Sequence, residues 1–432
     1  MVNLPDNENR HLGDLAPRVF RWGVIVGLGA IGLSVLIGLS GEASLDRFFR
    51  SYLLGFIFVL SLCLGALFFV ILQHLTKAGW SVVIRRIAEG LAGNLTWLWI
   101  GFIPVVVGLY MGDLYKWVDP PEGDELLKHK EAYLDTTFWL VRAVFYFAVW
   151  GLLARYFVRC SMDQDEHGDP KNTLRMQRVA APGMVLYAFT QTFAIIDWVM
   201  TLEPYWYSTM FGVYFFSASA CGFAATLIIL CALLQRTGRV TQSITTEHYH
   251  DLGKYLFAFG IFFWAYIAYC QYMLIWYANI PEETIWFVIR QLGGWKSMSI
   301  LLLLGHFAGP FLLLLSRYPK RFKGVLTAAC VWMLFIHFVD IYWLVMPRIP
   351  AGLIDRVTSY PQLEQEFATG VIPGTALTYQ EVYDLNWHLL DLTCVVGLLS
   401  LIGAMTARRL RDHCLIPEKD PRLGESLAFD NY

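Results

Sequence analysis

Ten stretches of about twenty apolar residues divide this sequence, and they limit its fold more than any other feature. They run approximately over 22–40, 52–73, 94–111, 138–158, 181–199, 211–234, 255–277, 298–316, 325–346 and 389–406. At about 1.5 Å of rise per residue, each can cross a hydrocarbon core of about 30 Å. Lipid offers the backbone no water, so a spanning segment must be a helix or part of a closed barrel. A barrel strand needs only about ten residues of alternating character, whereas these runs are apolar on every face. The sequence therefore predicts an all-α integral membrane protein with about ten transmembrane helices.

Composition excludes the main alternatives. The 432 residues are 56% hydrophobic and 16% charged, against roughly 45–50% and 25% in soluble chains. Disorder needs the opposite balance. A net charge of −2 does not suit a nucleic-acid binder that works by bulk charge. Residues 1–18 carry Asp6, Glu8, Arg10, Asp14 and Arg18 and no apolar core, so no cleavable signal is expected there. The first span is read as an uncleaved insertion signal. The expected organisation is a tail over 1–21, one membrane domain over 22–406 and a tail over 407–432.

Lysine and arginine set the expected orientation. The N-terminus, the segments 74–93, 155–180, 235–254 and 317–324, and the C-terminus together hold 23 of them. The alternate connections hold 9, and Arg142 lies inside a span. This bias places both termini in the cytoplasm. Two long connections, 112–137 and 347–388, then face outward. The first is acidic and the second contains Pro347, Pro350, Pro361 and Pro373. Between spans, Trp80, Val83, Ile84, Ile87 and Leu91 recur at helical spacing opposite Arg85, Arg86 and Glu89. That pattern predicts an amphipathic helix over 76–93 lying in the membrane interface. In the first span Gly23 and Gly27 form a GxxxG, a close-packing signal. The eight cysteines form no CxxC pair, so no zinc, iron–sulfur or covalent haem site is expected.

Ionisable groups inside a span are costly and point to function. They are Arg142, Asp197, His306, His337, Asp340, His388 and Asp391, with Gln191 and Gln271 as buried amides. Asp340 lies about 22 Å along its helix from Val325, in the outer third, and most of the others converge on the same half. His337 and Asp340 are i, i+3, as are His388 and Asp391, and that spacing puts both members of a pair on one helix face. An imidazole beside a carboxylate can pass a proton near neutral pH. Two readings follow: a proton relay or quinol-site acceptor, and plain interhelical hydrogen bonding. A membrane haem needs histidine pairs at matched depth, and only His306 and His337 are well inside. Trp198, Tyr205, Trp206, Trp276, Tyr277, Trp286, Tyr342 and Trp343 are expected in an interfacial aromatic belt.

Three stretches carry a resemblance: FFWAYIAYCQYMLIWYANIPEETIWF at 262–287, IDWVMTLEPYWYSTMFGVYFF at 196–216 and LTKAGWSVVIRRIAE at 75–89. They resemble the NrfD/PsrC-like membrane subunits of bacterial alternative complex III, a quinol:cytochrome c oxidoreductase, and the likeness spans nearly the whole chain. The resemblance implies two four-helix bundles with flanking helices. It implies quinone or menaquinone as substrate and no covalent cofactor in this subunit. It also implies partners: an iron–sulfur/molybdopterin-like subunit, multihaem and monohaem c-type cytochromes holding the haem and clusters, and a sister NrfD-like subunit. Glu282, Glu283 and Trp286, within the quoted motif, are the candidate partner contacts. The proton-relay or quinone-site candidates are His337, Asp340, His388, Asp391, Asp197, Arg142, His306 and Gln271. A proton-coupled secondary transporter and a non-catalytic anchor for the complex remain as alternatives. Against the transporter, Pro104 is the only proline well within a span, with Pro310 towards the inner half of the eighth, and no matched pair of broken helices is evident.

Overall fold

A computed structural model describes residues 4–5, 7–41, 45–112, 114–120, 123–350 and 359–431. The chain is 76% helical, with no strand among the described residues. Among those residues nine helices are long and apolar enough to cross a membrane, or ten if one bent pair is a single span. The protein is a multi-pass, all-α membrane protein. The spans are α1 (Leu15–Leu39), α2 (Leu45–Leu75), α3 (Val82–Thr96 and Leu98–Tyr110, bent by 54°), α4 (Thr136–His167) and α5 (Lys171–Leu202). They continue as α6 (Phe211–Arg236), α7 (Thr246–Ala278), α8 (Gly293–Leu315), α9 (Lys323–Val345) and α10 (Leu389–Arg409).

Contacts sort these into two groups of four, α2–α5 and α6–α9, joined along α2 and α6, with α1 and α10 paired on the flank of α2. Helix α2 is the centre, its apolar window wholly buried. An apolar span can face either lipid or protein; α1 is mostly unburied, whereas α2 is packed by protein on every side. Its crossing with α6 is close because a Cβ on Gly65 would lie 2.5 Å from Ser219 O. The α1–α10 pair uses the predicted GxxxG: a Cβ on Gly27 would lie 2.7 Å from the Leu401 side chain.

Both tails lie at one end of the bundle. Leu415 N donates to Arg10 O at 2.8 Å, and Val240 N in the α6–α7 connection donates to Asn9 O at 3.0 Å. The Asp165 carboxylate at the end of α4, Trp80 between α2 and α3, and Glu247 beside Arg321 are tied into the same layer. The connections that carry the basic residues thus share a side. The opposite end is closed by loop contacts, such as Tyr205 Oη to Asp124 at 2.6 Å and Lys116 to Glu203 at 3.2 Å. Of the long connections, Asp113, Glu122 and 351–358 lie outside the described residues. The rest includes helices Glu125–Lys130, Tyr360–Thr369 and Tyr379–Tyr383.

The interfacial helix expected over 76–93 is different in the structure. The helix is Val82–Ala92, every residue of it is buried, and it forms the first half of the bent α3. Its charged face is covered rather than solvated. Arg85 pairs with Asp420 of the C-terminal tail, and Arg86 reaches Glu89 at 3.1 Å and Asp165 at 2.7 Å. The spans are also less regular than proline positions suggested. Pro182 sits inside α5, and α7 and α8 contain π-helical segments at Leu256–Phe263 and Leu303–Ala308.

Candidate functional site

A cavity of about 470 Å³ lies among α6, α7, α8 and α9, towards the end away from the termini. Its wall is aromatic, with Tyr214, Trp264 and Phe287 among its residues, and Gln271 and Ser299 are its few polar side chains. Tyr266 and Tyr269 on its rim are 55% and 63% exposed, so the cavity opens sideways into the apolar surround of the spans. Gln271 is 4% exposed, and its Oε1 has no hydrogen-bond partner among the described residues. An apolar chamber of this size with few convergent polar groups is the usual form of a small-molecule site.

Asp340 stands directly behind that wall, fully buried on α9. Tyr214 Oη of α6 donates to one of its oxygens, and Trp264 Nε1 of α7 donates to the other at 3.0 Å. Both donors line the cavity. Among the described residues no lysine or arginine forms an ion pair with Asp340. Its carboxyl is held by neutral donors alone.

The histidines form the next layer. His306 stacks on Trp264 with centroids 3.8 Å apart and planes 11° apart, and its Nε2 meets Gly260 O at 3.1 Å. Both ends of that bond lie in π-helical segments. A π turn takes a carbonyl out of the regular i→i−4 ladder, which is how α7 presents Gly260 O to a side chain. His337 shares a face with Asp340 but does not bond to it. Its Nε2 meets Ser61 Oγ of α2 at 2.7 Å, and Ser61 in turn donates to Phe58 O at 2.6 Å. The Ser61 hydrogen is thus committed, so His337 donates from Nε2 and keeps Nδ1 as an acceptor. That Nδ1, like the Nδ1 of His306, has no partner among the described residues. His337 fits because α6 has Gly222 beneath it, where a Cβ would lie 2.5 Å from the ring.

Asp197 is the counterpart on α5, the fourth helix of the other group. It is fully buried and saturated. Arg142 of α4 reaches it through Nε at 2.7 Å and Nη2 at 3.2 Å, Tyr133 Oη at 2.7 Å and Tyr146 Oη at 2.8 Å. The guanidinium also lies over the Tyr133 ring at 4.0 Å. Arg142 and Asp197, read separately from the sequence, are therefore one ion pair.

The α10 pair is a helix cap. His388 is the N-cap residue, accepting from Leu390 N at 3.2 Å, and the Asp391 carboxylate accepts from His388 N at 3.0 Å. That is a reciprocal capping box. Asp391 is further fixed by Arg47 and by Ser51 Oγ at 2.6 Å. Its i, i+3 spacing serves the start of a helix, and neither residue lines the cavity.

The partner-contact candidates separate. Glu282 is exposed at the far end and Glu283 half-buried, while Trp286 is buried. Trp286 stacks on Trp206 at 4.3 Å and lies 3.4 Å beneath the Arg290 guanidinium. Arg290 donates to the carbonyls of Trp286 and Trp343 and so clamps helix Pro281–Ile289 over the cavity. Burial pulls its pKa well down, with the Glu203 carboxylate opposing. The expected aromatic belt is likewise largely interior: Trp198, Trp206, Trp286, Tyr342 and Trp343 are buried, and Tyr205, Trp276 and Tyr277 are the exposed members.

Sequence reading missed Tyr214, Trp264, Ser61, Arg290 and Arg47. The first two lay in the quoted aromatic-rich stretches, but nothing in their spacing aims them at Asp340. No cluster of three His, Cys, Asp or Glu suited to a metal occurs among the described residues. No protein-family model matches the chain, and no curated protein matches it.

Proposed function

We propose that this protein is the quinone-interacting, proton-conducting membrane subunit of a respiratory quinol:cytochrome c oxidoreductase of the alternative complex III type. Among the two such membrane subunits it is most like the second, ActF. The observation that carries the reading is the cavity whose wall donors, Tyr214 and Trp264, hold Asp340 without a cation. A quinol is an apolar ring with two hydroxyls on a lipid tail. A laterally open aromatic chamber with one spare amide acceptor suits that ligand.

The chemistry divides between this chain and its partners. Oxidation of a quinol releases two electrons and two protons. The electrons leave through an iron–sulfur/molybdopterin-like subunit and c-type cytochromes docked on the far end, where Glu282 is exposed. The two protons leave in turn through Tyr214: its hydroxyl oxygen accepts from the ligand as its own hydrogen passes to Asp340, which releases the first proton before it takes the second. Tyr214 stays neutral and the carboxylate becomes a carboxylic acid. With no ion pair to break, protonation of Asp340 leaves no partner charge stranded. The membrane is the bacterial cytoplasmic membrane, with the basic, tail-bearing side inward.

Asp340→Asn tests this in native membranes. Quinol:cytochrome c turnover and proton release fall while the assembled complex persists; unchanged turnover and proton release would remove the residue from the mechanism. A second reading has its own observation. The bend in α3 interrupts a span, as the discontinuous helices of secondary transporters do. Proton-coupled solute uptake by the isolated chain in liposomes would favour that reading.

A further inference from the structure

A second feature, away from the aromatic cavity, has the form of a lipid site. A groove of about 580 Å³ runs down the outside of α4 beside the bent α3, walled by apolar side chains such as Ile103, Val144 and Leu152. These three are 50%, 70% and 69% exposed, as residues facing acyl chains are. At Thr96 and Arg155 the groove runs into a second hollow of about 630 Å³ on the tail-bearing side, lined by Arg155, Arg159 and Arg409. The two hollows share Thr96 and Arg155, so they form one continuous track that is apolar at one end and basic at the other.

Helical spacing builds the track. Val144, Ala148, Leu152, Arg155 and Arg159 follow one face of α4 at steps of three and four. Arg155 lies about 28 Å along the helix from Thr136, the depth at which a hydrocarbon core of about 30 Å ends. The stripe turns from apolar to cationic where acyl chain gives way to phosphate. The charge balance also favours an anion. Two carboxylates share the basic hollow, Asp163 and Glu166. Asp163 turns to Asn172 Nδ2 at 2.6 Å and His167 Nδ1 at 3.2 Å, and the three guanidiniums outnumber the two carboxylates. Arg155 and Arg159 are exposed and form no ion pair among the described residues. Arg409 is held at the back of the hollow by Gly90 O at 3.2 Å and Thr96 Oγ1 at 3.3 Å.

We propose that this track binds an anionic phospholipid, its phosphate between Arg155, Arg159 and Arg409 and an acyl chain along the α3–α4 groove. Basic hollows between transmembrane helices at a membrane edge are the recurrent form of such sites. The lipid fills the angle left by the bend in α3 and ties α3, α4 and α10 together on the tail-bearing side.

The test uses the full chain, purified in mild detergent and washed free of lipid. Phosphatidylglycerol, diphosphatidylglycerol, phosphatidylcholine and inorganic phosphate are titrated separately, with bound lipid read by mass spectrometry and stability by thermal unfolding. The anionic lipids bind and stabilise; phosphatidylcholine and inorganic phosphate do not. Arg155→Gln with Arg159→Gln weakens anionic-lipid binding roughly 25-fold, at roughly 5-fold per charge, whereas the double Lys variant stays within about threefold. If the double Gln variant fails to fold, Ala148→Trp, which blocks the exposed groove and leaves the arginines, carries the test by losing the lipid. The proposal is overturned by equal stabilisation with inorganic phosphate, by equal retention of phosphatidylcholine, or by unchanged binding in the folded variants. Cross-linking of a polypeptide rather than a lipid at Ala148→Cys in native membranes would also overturn it.

Discussion

Asp197 and Asp340 are both fully buried, and each sits on the fourth helix of its four-helix group towards the same end of the molecule. Their surroundings differ in one respect that decides what each can do. Asp197 has a guanidinium and two tyrosine hydroxyls. Asp340 has one tyrosine hydroxyl and one indole N–H, and no cation. A buried ion pair fixes the charge of both members, because neutralising one strands the other. A buried carboxyl held by neutral donors is under no such constraint. Under the proposed function, Asp197 is the structural partner of Arg142 and Asp340 is the group that exchanges a proton with the cavity beside it.

Mutations can break this contrast in a graded way. The largest effect belongs to Asp197→Asn, which leaves Arg142 uncompensated. It lowers stability by about 3–5 kcal/mol, read by thermal unfolding in detergent, and Arg142→Gln in the same chain recovers part of the loss. Asp340→Asn comes next and acts on turnover instead. Quinol-dependent activity falls about 100-fold, as for loss of a proton-transfer group, with the unfolding temperature nearly unchanged. Tyr214→Phe removes the relay hydroxyl but leaves Trp264 on the carboxyl; activity falls by less than in Asp340→Asn, while Trp264→Phe has a smaller effect still. The smallest effect is His388→Ala, which loses a cap at about 1 kcal/mol and leaves turnover intact. A turnover defect in that variant would return the α10 pair to the proton path.

The same contrast measures what the sequence can reveal. The spans were legible because a bilayer imposes a length on apolar runs, and the sharing of sides among the connections followed from lysine and arginine. The depth of Asp340 was legible from helix rise alone. Its partners were not, since Tyr214 and Trp264 lie on other helices and only packing brings them together. Spacing was the misleading signal. His337–Asp340 and His388–Asp391 share an i, i+3 step, yet the first pair sends its members to different helices and the second is a capping box. Its position at the very start of an apolar run was the available clue. The helix Val82–Ala92 misled for a similar reason. Its charges looked solvated because their partners, Asp165 and Asp420, lie far away in sequence. The π segments left no trace in composition, and with them the Gly260–His306 contact was invisible.

The central claim is that Asp340, and not Asp197, changes protonation when the cavity is occupied. Infrared difference spectroscopy on the complex from native membranes, with and without quinol, reads this directly through the carboxylic-acid carbonyl band. The account predicts a quinol-induced carboxylic-acid signal that is lost in Asp340→Asn and kept when Asp197 and Arg142 are replaced together by Asn and Gln. A signal that survives Asp340→Asn, or one lost with the Asp197–Arg142 pair, would contradict it.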